Sequence, residues 1–283
     1  MAGAASLREE LRSIFHPSDF SASSEVAFAH ALKIALLAHA ELNVLHVRDA
    51  DNAHWADFPG VRQMLERWRV LPPGSPKSAV PALGIDVRKV MTEDSDPVAA
   101  CLRYLERNPT DLVVLATHQH QGRERWLSKA VAEPLARQSG LLTLFLPSGV
   151  EGFVSREDGS AALRSVLIPV ASEPRPDAAI EAARRIAAGL QSPQVAFTAL
   201  NVGDPAAMPT VSFEPRAGWT WHTMTGQGDV VDTIVAVARE CAADLIVMAT
   251  QGHHGFLDAL RGSTTERVIR HARCAVLGVP VRA

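Results

Sequence analysis

Two glycines, Gly252 and Gly262, stand ten residues apart in ATQGHHGFLDALRGSTTERV (249–268), and Ser263, Thr264 and Thr265 follow the second directly. The apolar run at 244–248 leads into them. Glycines let a backbone turn tightly and approach an oxyanion with no Cβ in the way. A helix opening at Ser263 would add free N–H groups and a dipole that favours a phosphate. The same residues have a second reading. Ser263-Thr264-Thr265-Glu266 is a capping box in itself, with Ser263 as N-cap, Glu266 reaching back and Gly262 making the turn that presents them. Local pattern leaves both readings open, so the decision falls to the elements that hold the loop.

The other residue types that carry chemistry are sparser. His118, His120, His253 and His254 fall in loops and His222 in a strand. A metal site needs three or four converging ligands. Adjacent residues such as His253 and His254 tend to point apart, and no CxxC or HExxH frame is present, so no metal is expected. No Gly-Lys-Ser/Thr loop supports a Walker-type NTPase, and no GxSxG elbow supports a serine hydrolase. No catalytic residue is assigned. Cys241 and Cys274 sit in apolar surroundings and read as core residues. Trp219 and Trp221 share one face of a strand, as packing residues do.

Composition narrows the class. The chain has 283 residues, 47% of them hydrophobic, and a formal charge of −3. That balance gives no basic field for nucleic acid and no polybasic tail for a membrane surface. Three cysteines without a CxxC suit a reducing compartment. The first residues carry Glu9 and Glu10 and no apolar h-region, and no apolar run is long enough to span a bilayer. The expectation is a cytoplasmic protein with no nucleic-acid or membrane partner.

The chain also repeats itself. DLVVLATHQHQG (111–122) echoes DLIVMATQGHHG (244–255), and SIFHPSDFS (13–21) echoes SVLIPVASE (165–173), with Pro17 matching Pro169. Residues 50–83 are extra sequence in the first copy, holding a short helix at 60–70 and a breaker-rich stretch. Between the copies, 147–162 is rich in Gly, Ser and charge and reads as a linker. Each copy has the same coarse order. Strands at 13–17 and 165–170 precede helical periodicity at 23–39 and 177–190. Strands at 41–47 and 194–202, and at 85–92 and 219–225, come next. Helices follow at 96–108 and 229–242, then continuously apolar strands at 112–116 and 245–249, a loop, a last helix and last strands at 141–146 and 275–281. Alternating strands and helices give an α/β fold with two doubly wound, parallel five-stranded sheets and helices on both faces. Ligands in such sheets bind beyond the carboxyl ends, where the winding switches. That brings the loops after the first and fourth strands side by side.

On HPSDFSASSEVAFAHALKIALLAHAELNVLHV (16–47), DLVVLATHQHQGRERWLSKAVAEPLARQ (111–138) and DLIVMATQGHHGFLDALRGSTTERVIRHARCAVLGVP (244–280), each half resembles a universal stress protein domain. The whole resembles a tandem universal stress protein, with domains at 1–150 and 163–283. The resemblance implies an adenine-nucleotide alpha-hydrolase-like fold. It also implies domains paired through their last strands, here as a pseudo-dimer within one chain. ATP-binding members carry Gly-x-x-Gly, nine residues, then Gly-Ser or Gly-Thr after the fourth strand. In the second copy this maps onto Ala249, Gly252, Gly262 and Ser263, flanked by Met248, Gln251, Thr264 and Thr265. Pro169, Val170 and Val202 would line the adenine and ribose side. The family's ribose acid is replaced by Ala171, a loss of about 1–3 kcal/mol if the hydroxyls lose a charged partner.

In the first copy Asp19 matches that acid. The loop glycines and hydroxyl, however, are replaced by Ala116, Gln119, Lys129 and Ala130, and Pro134 starts the helix late, near Ala132. That site reads as degenerate. The resemblance implies a non-catalytic stress-response or regulatory protein, binding ATP or a related adenine nucleotide at the second half, with Mg2+ only if carried by the nucleotide. Two alternatives stand beside it: a nucleotide-independent scaffold, and a slow ATPase for which no general base is evident. Association beyond the internal pair is left open.

Overall fold

The computed structural model describes residues 11–48, 54–117, 131–251 and 264–281. Its first half runs β1 (Ser13–Pro17), α1 (Ala22–Ala38), β2 (Glu41–Arg48), α2 (Val61–Arg67), β3 (Asp86–Glu93), α3 (Pro97–Arg107), β4 (Leu112–Thr117), α4 (Ala132–Ser139) and β5 (Leu142–Pro147). The second half runs β6 (Ser165–Pro169), α5 (Asp177–Gly189), β7 (Val195–Val202), β8 (Trp219–Gly226), α6 (Val230–Glu240), β9 (Leu245–Gln251), α7 (Thr264–His271) and β10 (Ala275–Val281). Apart from α2, which lies in the extra sequence of the first half, the two halves have the same order of elements.

The ten strands of the described residues form one sheet, ordered β3-β2-β1-β4-β5-β10-β9-β6-β7-β8. Each half is wholly parallel, and the winding reverses between β1 and β4 and between β6 and β9. The halves meet where β10 pairs antiparallel with β5, Leu277 opposite Leu144. Apolar last strands would be pairing hazards if left as edges. Joining them removes both edges at once.

Strand residues alternate between two cores, as period-two geometry demands. Ile14 belongs to the core on the face covered by α1 and α5, and Phe15 to the core on the face covered by α3, α4, α6 and α7. Both cores run unbroken across the β5–β10 seam. The strand starts are pinned identically. Asp111 accepts the Arg12 and Ser13 N–H groups at 2.8 and 3.0 Å, and Asp244 accepts those of Arg164 and Ser165 at 2.7 and 3.0 Å. Asp96 and Asp229 likewise cap α3 and α6 through their side chains.

The stretch 147–162, linker-like in composition, is packed. Phe153 and Val154 are buried, and both their N–H groups donate to Nε2 of His30 on α1 at 3.1 Å. Gly152 makes this approach possible: its φ is +72°, and a Cβ there would stand 2.3 Å from His30 Nε2. The reason lies in α1, ASSEVAFAHALKIALLA, which is apolar nearly all round. Its outer face needs a cover, supplied by this stretch and by Phe58, Met64, Leu65 and Trp68 of the extra sequence in the first half.

Candidate functional site

The winding switch of the second half sets β6 between β9 and β7. The carboxyl ends of these three strands therefore gather Pro169, Val170, Val202, Met248, Ala249 and Gln251 along one rim. Val170 N–H donates to Leu200 O at 2.8 Å, and Asn201 Nδ2 donates to Val170 O at 3.2 Å. Val170 and Met248 are buried, Pro169, Val202 and Ala249 half-buried, and Ala171 and Ser172 exposed. No carboxylate stands at position 171, where the resemblance calls for one. Gln251 closes β9 in register with Val281. Thr264, exposed, and Thr265, half-buried, open α7. Gly252, Gly262 and Ser263 lie outside the described residues. Glu266, the far half of the expected capping box, is buried and ion-paired with Arg270, which also reaches Glu133 of α4 at 3.3 Å.

The equivalent rim of the first half is built differently. Ser18 N–H donates to Leu45 O at 2.8 Å, the counterpart of the Val170 bond, and His46 takes the place of Asn201, its Nδ1 donating to Ser18 O at 2.8 Å. Phe20 then stacks on His46 with ring centroids 4.1 Å apart, Phe58 meets Phe20 edge-on at 5.0 Å, and Trp55 stacks on Phe58 at 5.5 Å. Phe20 reaches that position from φ +62°, left-handed backbone that a bulky residue adopts only when its packing requires it. Asp19, matched to the ribose acid, accepts the Ser21 N–H at 3.0 Å and so helps to start α1. Between Pro17, Ser18, Asp19, His46, Pro97 and Cys101 about 10 Å3 is left, room for one water. α4 begins at Ala132 with Pro134 in its first turn, as the proline requires. Ala116 ends up buried in β4; Gln119, Lys129 and Ala130 lie outside the described residues.

Asn201, His46, Phe20 and Phe58 were not singled out by sequence. A signal existed: the second strands, ELNVLHVR and VAFTALNV, each carry a polar residue just before a valine near the carboxyl end.

Several of the remaining reactive groups are buried. His16 is fully buried, its Nδ1 donating to Val114 O at 2.9 Å and its Nε2 3.4 Å from Ser24 Oγ; desolvation pushes its pKa down to about 4. Desolvation lowers His30 to about 4 as well. Burial pushes the Cys101 and Cys274 thiols up to about 12, far from a reactive thiolate. Among the described residues no group of His, Cys, Asp and Glu is arranged to hold a metal. His222 is exposed on β8, and His118, His120, His253 and His254 lie outside the described residues. No helix of the described residues is long and apolar enough to cross a membrane.

Known proteins agree with this architecture. A 58-residue stretch, 20% of this chain, is 47% identical to a universal stress protein of Methanocaldococcus jannaschii and covers 34% of that protein. A 58-residue match to the universal stress protein E homolog of Haemophilus influenzae is 38% identical and covers 19% of that relative. The chain therefore spans about a third or less of the length of these relatives. A universal stress protein from Archaeoglobus fulgidus superposes with a TM-score of 0.60 at 17% identity, over 95% of this chain and 98% of that one. A protein of unknown function from Pseudomonas aeruginosa superposes with a TM-score of 0.61 at 12% identity, over 96% and 94%. At such identities the likeness is one of fold. The model of the universal stress protein family matches residues 10–141 and 217–280, well over half of the sequence, and the chain belongs to that family.

Proposed function

We propose that this protein is a non-catalytic stress-response or regulatory protein that binds ATP or a related adenine nucleotide at its second half alone. One contrast carries the reading: the first half covers its strand ends with Phe20, Phe58 and Trp55, whereas Ala171 and Ser172 after β6 are small and exposed. Asn201 sharpens it. Its amide nitrogen holds Val170 O, while its buried Oδ1 has no donor among the described residues. A buried acceptor without a partner costs about 1–3 kcal/mol. A ligand that brings an amino or hydroxyl donor to this rim removes that cost, and adenosine carries both. The residues fit such a group: Pro169, Val170 and Val202 offer apolar walls, Asn201 an acceptor, and Thr264 and Thr265 hydroxyls at the head of α7.

A scaffold that has abandoned nucleotide is the second reading, favoured by Ala171 in place of the ribose acid. Mass spectrometry of the protein as purified separates the two. One equivalent of adenine nucleotide per chain, removed by Gly262→Trp, is the expected result. Two equivalents refute the sealed first half, and no saturable nucleotide binding leaves the scaffold.

A further inference from the structure

The sheet ends in two strands of opposite character. β3, DVRKVMTE, carries Asp86, Arg88, Lys89 and Glu93. Charged side chains are a usual guard against edge-to-edge pairing. β8, WTWHTMTG, carries no Lys, Arg, Asp or Glu and no proline, and consists largely of threonine and aromatic residues, which favour strands. Among the described residues β7 alone pairs with it.

The backbone direction along β8 follows from its register. Val195 N–H donates to Gly218 O and Gly203 N–H to Gly226 O. Even-numbered residues of β8 therefore turn their polar backbone toward β7, and Trp221, Thr223 and Thr225 turn theirs outward. Thr220, His222, Thr223 and Thr225 are exposed. Met224 and Val230, 40% and 41% exposed, flank the same end.

We infer that β8 is a self-association edge, on which a second copy of this chain adds its own β8 antiparallel about a two-fold axis through Thr223. In that register Thr223 faces the second copy's Thr223, and Trp221 faces Thr225, each as a hydrogen-bonded pair. Every outward N–H and C=O of these residues then meets a partner. His222 faces Met224 in the intervening pairs. Threonine–threonine and aromatic–β-branched pairs are among the favourable cross-strand combinations, and no like charges meet. A second copy is the occupant the strand itself specifies. An isologous interface places each residue against its own symmetry mate or a near neighbour, which a strand tolerates when it is free of charge. β3 does not meet that condition. The sheet already grows by antiparallel addition at β5 and β10, so β8 would repeat between chains the join made within one.

Sedimentation velocity on the full chain tests this, with Thr223→Lys and Thr223→Glu as variants. Position 223 is exposed, so both should fold, as checked by circular dichroism and thermal melts. The wild type should sediment as a dimer, and each variant alone as a monomer, its dissociation constant raised about tenfold or more by like charges set face to face. Mixing the two variants should restore a one-to-one heterodimer, a result that depends on Thr223 meeting Thr223. A wild-type monomer, a dimer indifferent to both variants, or a mixture that stays monomeric would each overturn the proposal. So would a wild-type monomer that captures an added β8-sequence peptide, which would make the edge a peptide-docking strand.

Discussion

The two halves share a topology, a pinning aspartate and a capping aspartate, yet place their aromatic residues at opposite ends of the sheet. In the first half Trp55, Phe58 and Phe20 pile onto His46, sixth of the eight residues of β2, so the mass of rings sits at the carboxyl rim. In the second half Phe213 stacks on Trp221 at 4.1 Å and Trp221 on Phe197 at 4.2 Å, and both strand residues are third in their strands, toward the amino ends. Position 172, matching Phe20, is an exposed serine. A doubly wound sheet binds ligands at its carboxyl rim. Moving the rings by a few residues therefore separates a half whose rim carries an aromatic stack from one where small, exposed Ala171 and Ser172 follow the first strand.

The difference can be broken most severely at the second rim. Gly262→Trp should abolish nucleotide retention altogether, while Asp19→Ala in the first half leaves the stoichiometry unchanged; both are read by mass spectrometry and titration calorimetry. Acid comes next. His16 and His30 have folded pKa values of about 4, below the unfolded value of 6.5, so the unfolded chain takes up protons first as pH falls. The stability present above pH 6.5 is lost progressively down to pH 4, about 3 kcal/mol for each histidine. Both histidines belong to the first half, and the counterpart of His16 is Ile168. Urea melts at neutral and acid pH should show that loss, with His16→Ile removing about half of it. Hydrogen exchange should place the acid loosening in the first half.

Phe58→Ala should cost about 3 kcal/mol, since a 4%-exposed ring leaves a cavity under the stack. It should not create a second nucleotide site, because the phosphate glycines are missing there as well. A second equivalent of nucleotide in that variant would mean that the plug alone closes the first half. The smallest effect is expected at Asn201→Leu. Losing the acceptor should weaken nucleotide about tenfold, with Tm moved little, and unchanged affinity would remove Asn201 from the site.

Much of this was legible in the sequence. Continuous apolar runs such as DLVVL and DLIVM announce strands covered on both faces. The echo between 111–122 and 244–255 fixes the order of elements in both halves, and the apolar last strands call for each other. The glycines near 252 and 262 mark the candidate loop through local backbone chemistry, which needs no neighbour to be recognised. Other features were hidden because they depend on contacts distant in sequence. The stretch 147–162 looks like a tether, and only the bare outer face of α1 turns it into core. His30 and Gly152 are unremarkable apart and necessary together, since one accepts two amides that the other lets approach. Phe20, His46 and Phe58 fall in three separate segments, and nothing local says that they stack at the rim. Periodicity and turn chemistry are written into neighbouring residues, so the chain alone determined its elements. Which rim carries the aromatic stack, which holds an acceptor with no donor among the described residues and which sheet edge lacks a guard were decided by packing, because each depends on what the folded chain brings alongside.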